Sequence, residues 1–435
     1  MMGIEISIWN ELDRATQDAL LERPALQNES MLREQVIPIL DQVRREGDAA
    51  IRRLTQEFDK VDLASLRVST SEIDSAISGL EPSALAAIEL AIGNVRRFHE
   101  QQVPKSYAVE TMPGVLCERV CHPLNSVGLY VPAGSAPLPS AAIMLSIPAA
   151  IAGCPVRVLC TPPRHDGTAD PVVLAAAALA GVKDIFKIGG AQAVAAMAYG
   201  SETVPKVQKI FGPGNAWVTC AKTLVSTQRG GAAIDMPAGP SEVLVIADGE
   251  ASAEFVAADL LAQAEHGHDS QVILLTTSAT LAHEVQSEVQ AQLQSLSRAA
   301  IVRKALLNSR IVVVETVEIA IGISNRYAPE HLILQITNAR AALEDVRNAG
   351  SVFVGAWTPE SVGDYCSGTN HVLPTYGYAD TYSGLGVDQF MRFMTVQELS
   401  RDGLSNISSA VITLAGLEGL DAHAAAVSRR LEPSA

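Results

Sequence analysis

Aromatic residues supply only 4% of the 435-residue chain and charged residues only 18%, while 48% of the residues are apolar. The interior must therefore be built mainly from Ala, Val, Leu and Ile, a composition that suits helices packed on a sheet. Basic residues are short as well. Thirty-two bases face 48 acids, a net charge of −16, and no long basic run is present to track a phosphate backbone, which excludes nucleic acid as a partner. The six cysteines (Cys117, Cys121, Cys154, Cys160, Cys220 and Cys366) have neither C-x-x-C spacing nor the density of a disulfide scaffold, and read as reduced thiols packed as small apolar groups. No apolar run is long enough to span a bilayer: the strongest, residues 141–154, holds about a dozen apolar residues and contains Pro148, short of the ~20 needed. It reads as a buried helix. The N-terminus lacks a basic segment leading into an apolar one, so no secretion signal is indicated and a cytoplasmic location is expected.

What is present is alternation. The length exceeds what one ordinary core serves, so two or more domains are expected. Residues 31–58 and 71–101 carry apolar positions at helical spacing, and 116–123 alternates apolar and polar residues as a strand or hairpin. From Ser126 short apolar strands alternate with Ala-rich helices: strands 127–131, 156–160, 184–188 and 207–211, with helices at 141–152, 171–180, 191–199 and 216–227. A second series follows, with strands 243–247, 272–276 and 311–314, a helix 251–266 and further helices within 280–307. The pattern predicts two βα blocks with parallel-rich sheets covered on both faces. A polar, Gly-rich stretch after Thr358 leads into an amphipathic helical region from about residue 396 to 430, suited to packing on a partner chain.

Four segments carry candidate chemistry. In Gln263-Ala-Glu-His266 the i, i+3 spacing would put an amide oxygen and an imidazole on one helix face, as a metal pair or as a polar surface pair; His268 reads as solvated. In Asn325-Arg-Tyr-Ala-Pro-Glu330-His331, a carboxyl and an imidazole suited to proton transfer stand side by side before a strand. Neighbouring strand residues point to opposite faces, so both serve one site only if the bend at Pro329 redirects them; the alternative is an exposed loop. The run from Glu360 through Asp364 and Asn370-His371 to Thr375 reads as an ordered functional loop or a flexible excursion, with Asp364 able to give a metal an anionic ligand. Glu418-Gly-Leu-Asp-Ala-His423 offers another carboxylate and imidazole, with Gly419 and Asp421 able to end one helix and cap the next. For a nucleotide, three βα turns bring small residues to helix N-termini: the turn after Tyr130, Gly189-Gly-Ala-Gln192, and Phe211-Gly-Pro-Gly-Asn215. None fits G-x-G-x-x-G, and each alone is also an ordinary α/β joint.

In their order along nearly the whole chain, these motifs, with Val127-Gly-Leu-Tyr-Val-Pro, Ile234-Asp-Met-Pro-Ala-Gly-Pro-Ser241-Glu-Val-Leu and Ser367-Gly-Thr-Asn-His-Val-Leu-Pro-Thr, resemble the histidinol dehydrogenase family. Ala133 and Trp217 depart from its pattern near the cofactor turns. The resemblance implies oxidation of L-histidinol through its aldehyde to L-histidine with reduction of two NAD. It implies that Glu330 activates water and that His331 is the general base. Gln263, His266, Asp364 and His423 would be zinc ligands, Ser241, His371 and Glu418 would join the ligands and His331 around histidinol, and Tyr130, Gln192 and Asn215 would contact NAD. It further implies two incomplete Rossmann-like domains in an intertwined homodimer. On that division, residues 1–25 form an N-terminal arm, 26–129 and 242–384 a large α/β domain with most zinc and catalytic residues, 130–241 the NAD-binding domain, and 385–435 a helical tail completing the partner's site.

Rival readings are a related zinc dehydrogenase acting on a sulfonated diol, which Glu418 disfavours by repelling a sulfonate, and a zinc hydrolase or non-redox metal protein, which the three Gly-rich turns disfavour. A thiohemiacetal route through Cys121 or Cys154 is a further alternative, without an evident activating neighbour apart from His122.

Overall fold

The computed structural model describes residues 4–24, 29–133, 136–237 and 239–432; Gly134 and Ser135, in the turn after Tyr130, lie outside them, as does Ala238. Strand β1 (Glu5–Ile8) precedes helices Glu29–Glu46, Asp48–Phe58, Thr70–Ser78 and Pro82–His99. Strands β2 (Tyr107–Met112) and β3 (Val115–Pro123) follow, then β4 (Ser126–Tyr130), β5 (Val156–Thr161), β6 (Asp184–Lys187), β7 (Lys209–Phe211) and β8 (Ala233–Ile234). The last set is β9 (Glu242–Ala247), β10 (Gln271–Thr276), β11 (Arg310–Val313), β12 (His331–Gln335), β13 (Ser351–Val354) and β14 (Met391–Leu399).

Two parallel sheets result. The first runs β6-β5-β4-β7-β8, so strand order reverses between β4 and β7, the place where open α/β sheets take ligands at their carboxyl ends. The second runs β1-β11-β10-β9-β12-β13 and repeats that winding in β9–β13, with β1 added parallel at the edge beside β11. Every residue of β9, β10 and β12 is buried, as an uninterrupted apolar strand with helices on both faces requires. The apolar stretch around Pro148 is indeed a core helix, Pro139–Ala152, opened by a Pro in its first turn and stopped by left-handed Gly153. Among the described residues no single helix is long and apolar enough to cross a membrane.

Four expectations need correction. The helices of residues 29–99, expected with the second sheet, contribute Val36, Leu40, Ile51, Ile88 and Val95 to the two cores built around the first sheet. The edge strand β1 shows that the N-terminal arm instead joins the second sheet. Residues 391–399 form a strand rather than the start of a helical region, and the antiparallel sheet β14-β3-β2 ties the C-terminal part to the first half of the chain. The pairing of Phe393 with Cys121 and of Val396 with Glu118 spans a sequence separation that periodicity cannot see. Beyond it, Arg401–Leu417 and Asp421–Leu431 form two helices; Gly419 does turn the chain at φ 70, but Asp421 is the first helical residue rather than the cap.

Candidate active site

The helix Val317–Tyr327 ends where Ala328 adopts a left-handed conformation with φ 51, and Pro329 then feeds the chain into β12. This bend brings Glu330 and His331 to one neighbour, the main chain of Glu242 at the start of β9. The Glu242 N–H donates to Glu330 Oε2 at 2.9 Å, and the Glu242 carbonyl lies 3.1 Å from His331 Nδ1. With a carbonyl as partner, Nδ1 must carry the proton, so Nε2 holds the lone pair. His331 Nε2 is buried and has no hydrogen-bond partner among the described residues. Burial holds the imidazole down at a pKa of about 4 despite the opposing charge of Asp364, so the ring is neutral at physiological pH. Burial, aided by the charges of Glu242 and Asp364 and opposed by the Glu242 N–H, pushes Glu330 well above the usual carboxyl range.

Glu242 is itself fixed. Arg23 grips its carboxylate through two bonds of 2.6 and 2.7 Å, with the guanidinium 3.9 Å above the Tyr327 ring centre. The Tyr327 hydroxyl donates to Gln271 Oε1 at 2.7 Å and lies 3.1 Å from Glu242 Oε2.

A cluster of potential metal donors adjoins this pair. The helix Ala253–Ala264 holds Gln263, fully buried, but ends with Glu265 as its cap, so His266 stands just beyond it rather than on the helix face. With its amide nitrogen turned toward Glu360, Gln263 lies 2.9 and 3.2 Å from the Glu360 carboxylate oxygens, 3.3 Å from the Glu242 carbonyl and 3.0 Å from His331 Nδ1; its two N–H bonds are taken by the carboxylate and the carbonyl, which leaves the amide oxygen free of this role. The short helix Glu360–Tyr365 presents Glu360 and Asp364, and donor atoms of His266, Glu360 and Asp364 lie within 4.8 Å of one another. The closest His266–Asp364 approach is 3.8 Å. That helix approaches β13 closely enough that a Cβ on Gly363 would stand 2.7 Å from the Phe353 ring, which itself packs 5.9 Å from the His331 ring. His371 is fixed by a 3.0 Å bond from Nδ1 to the Asp364 carbonyl, and Ser241 sits half-buried immediately before Glu242.

Glu360, Glu242 and Arg23 were not singled out from the sequence. The signal for Glu360 was its position four residues before Asp364, one helical turn away. It is 1% exposed, and burial beside Asp364 and Glu330 pushes its carboxyl well above the usual range. Among the described residues no Lys or Arg pairs with Glu330, Glu360 or Asp364; their ionic neighbours are histidines.

The residues expected around a nucleotide gather at the carboxyl ends of β4 and β7. A cavity of about 670 Å³ is lined there by Tyr130, Pro132, Gln192, Asn215 and Trp217, and extends to His266. Gly212 crosses the end of β4 with φ 119, and a Cβ there would lie 2.2 Å from the Tyr130 carbonyl. Asn215 caps the helix Ala216–Thr227 by accepting from the Val218 N–H at 3.1 Å, and the Tyr130 hydroxyl accepts from the Gly190 N–H at 3.0 Å. The cavity thus runs from the switch point of the first sheet to His266 and Tyr365, beside the donor cluster.

Two expected residues stand apart. Glu418 caps the helix Arg401–Leu417 and His423 lies exposed on the next helix; neither lines the cavity nor belongs to the donor cluster of the same chain. Cys121 and Cys154 do not line the cavity either, and burial pushes the Cys154 thiol up to about 11.

The family model of histidinol dehydrogenase matches residues 21–431. Histidinol dehydrogenase of Vibrio cholerae is 55% identical over 425 residues, 98% of each chain, and that of Xanthomonas oryzae is 54% identical over 428 residues, 98% of this chain and 99% of that one. The crystal structure of histidinol dehydrogenase from Elizabethkingia anophelis superimposes with a TM-score of 0.94 at 46% identity, covering 99% of this chain and 98% of that one.

Proposed function

Because the chain belongs to the histidinol dehydrogenase family, we propose how its residues divide the work of that reaction. The enzyme is an NAD-dependent oxidoreductase of histidine biosynthesis that converts L-histidinol to L-histidine. Alcohol to carboxylate is a four-electron change, so an aldehyde lies between and two NAD are reduced.

The observation that carries the division is His331: neutral, oriented through Nδ1 by the Glu242 carbonyl, and with a buried Nε2 that no described group bonds. Nε2 takes the alcohol proton as hydride leaves the adjacent carbon for NAD, giving the aldehyde. Glu330 then takes a proton from the water that adds to the aldehyde carbon while His331 returns its proton to the aldehyde oxygen, and the neutral His331 so regenerated takes the hydrate's hydroxyl proton as the second hydride leaves. The cavity wall of Tyr130, Gln192 and Asn215 holds the dinucleotide.

The donor set fits zinc: an imidazole and carboxylates converge beside the Gln263 amide, with no described Lys or Arg to balance them. Gln263, His266 and Asp364 would hold it, with His423 as a fourth ligand. Bound zinc supplies positive charge among these carboxyl groups and a point of attachment for the amine and imidazole nitrogens of histidinol. Ser241, His371 and Glu418 complete the substrate's surroundings, and the Glu418 carboxylate suits a cationic ammonium.

His423 and Glu418 reach a site only in a homodimer. The helices that carry them expose Ile412, Leu414, Leu417 and Leu420, with Leu417 80% exposed, an apolar face that a second copy would cover. Zinc is tested by Asp364→Asn, which keeps the side chain's size and removes its charge. Metal analysis is expected to show loss of zinc together with histidinol-dependent NADH formation. Full zinc and full activity would remove Asp364 from the site.

A further inference from the structure

The cavity at the carboxyl end of the first sheet has a carboxylate in its wall that the reaction described above does not use. Asp59 caps the helix Asp48–Phe58, and its side chain lines the cavity with Phe58, Tyr130, Pro162 and Gln192. Its described hydrogen-bond partner is the Gln192 amide, 3.5 Å away, and no described Lys, Arg or His pairs with it. Burial pushes its pKa up to about 6, so it is still ionised at neutral pH. A half-buried, underbonded carboxylate at the wall of a ligand cavity is unfavourable unless the ligand brings donors. The neighbouring helix N-terminus at Gly190 is anchored to the Tyr130 hydroxyl, which fixes the wall around it.

Dinucleotide folds of this strand order place an acid at the end of their second strand, where it accepts from the ribose 2′-hydroxyl. Here the second strand is β5, and it runs into Thr161-Pro162-Pro163-Arg164 with no acid. The next acid, Asp166, is turned back onto the Thr168 hydroxyl and N–H. Pro162 and Asp59 meet the same cavity, so the helix from outside the sheet brings its carboxylate to the place that β5 leaves without one.

We propose that Asp59 is the residue that selects NAD over NADP, its carboxylate accepting from the hydroxyls of the adenosine ribose and repelling a 2′-phosphate. The inference rests on the reading of this cavity as the NAD site. Gln192 orients the acceptor, which is why a side chain at the base of the helix Gly190–Tyr199 is 2% exposed yet polar.

Asp59→Asn keeps the shape and removes the charge; Asp59→Ala removes the acceptor; Asn215→Ala is the control for the cavity itself. Dissociation constants for NADH and NADPH by fluorescence, and KM for NAD, NADP and histidinol, are measured on each. Losing one charge-assisted hydrogen bond is expected to weaken NADH about tenfold in Asp59→Ala, and the NAD-to-NADP ratio of kcat/KM is expected to fall at least about tenfold in Asp59→Asn. The loss should fall on the dinucleotide constants, with KM for histidinol within about twofold of wild type. If Asn215→Ala weakens NADH but both Asp59 variants keep the wild-type affinity and ratio, the selecting role is overturned and the cavity reading stands. If all three variants bind NADH as wild type does, the cavity reading fails and the inference with it.

Discussion

Arg23 offers a quantitative test of how Glu330 and His331 are held. Its guanidinium makes two bonds to the Glu242 carboxylate and donates to the Tyr327 carbonyl at 2.7 Å; the Arg23 and Glu242 side chains are 13% and 2% exposed. Arg23→Met fills similar volume but strands the Glu242 charge in the interior. Removing one partner of a buried pair costs about 3–5 kcal/mol, most of it the penalty on the charge left behind. The double variant Arg23→Met, Glu242→Gln removes that charge and is expected to recover all but about 1 kcal/mol. Urea unfolding of the four proteins of the cycle, at one protein concentration, reads these values. Because the Glu242 main chain holds both Glu330 and His331, the single variant should also lose kcat, and the double variant should regain part of it. A loss below about 1 kcal/mol in Arg23→Met, or a double variant no more stable than the single, would refute the reasoning.

Two further expectations follow from other parts of the molecule. Asp259 is buried, accepts from Gln335 at 2.7 Å, and has its pKa raised by burial from 3.8 to about 6, so the folded state binds its proton more tightly than the unfolded chain does. Wild-type stability is therefore lost as pH rises from about 4 to 6, and Asp259→Asn should be more stable than wild type by up to about 3 kcal/mol at pH 7 but not at pH 4, as read by urea unfolding at both; an equal difference at both would contradict this. His266→Ala and His423→Ala are each expected to be inactive, and co-expressing them should restore about a quarter of wild-type activity if His423 serves the other subunit, since half the dimers are mixed and each has one intact site. Verified mixed dimers with no activity would place His423 in its own chain's site.

The βα alternation made both parallel sheets legible, because buried strands such as Val243–Ala247 are continuous apolar runs and their helices are Ala-rich. What periodicity could not supply was pairing across long separations. β14 has exposed residues on both faces and owes its extended form to β3, and the helices of residues 29–99 are amphipathic without stating which sheet they cover. At the site, Glu330, His331, Gln263, His266 and Asp364 were readable because each sits in a compact polar motif within an apolar chain. Arg23 and Glu242 were not, since they are 219 residues apart and an isolated Arg near the N-terminus looks like solvated surface. Glu360 and Asp59 were hidden for the same reason: a carboxyl's burial is a property of its surroundings, and helix ends with acids are common on surfaces.

On the division of labour proposed above, Glu330 serves only the hydration between the two oxidations while His331 serves both. Counting NADH formed per L-histidinol by purified Glu330→Gln, with an aldehyde trap present and the product identified, tests it most directly. Wild type without the trap should give two NADH and L-histidine, and Glu330→Gln should stop near one NADH with the trapped aldehyde accumulating. Two NADH per histidinol from Glu330→Gln at the wild-type rate, with histidine as the product, would contradict it.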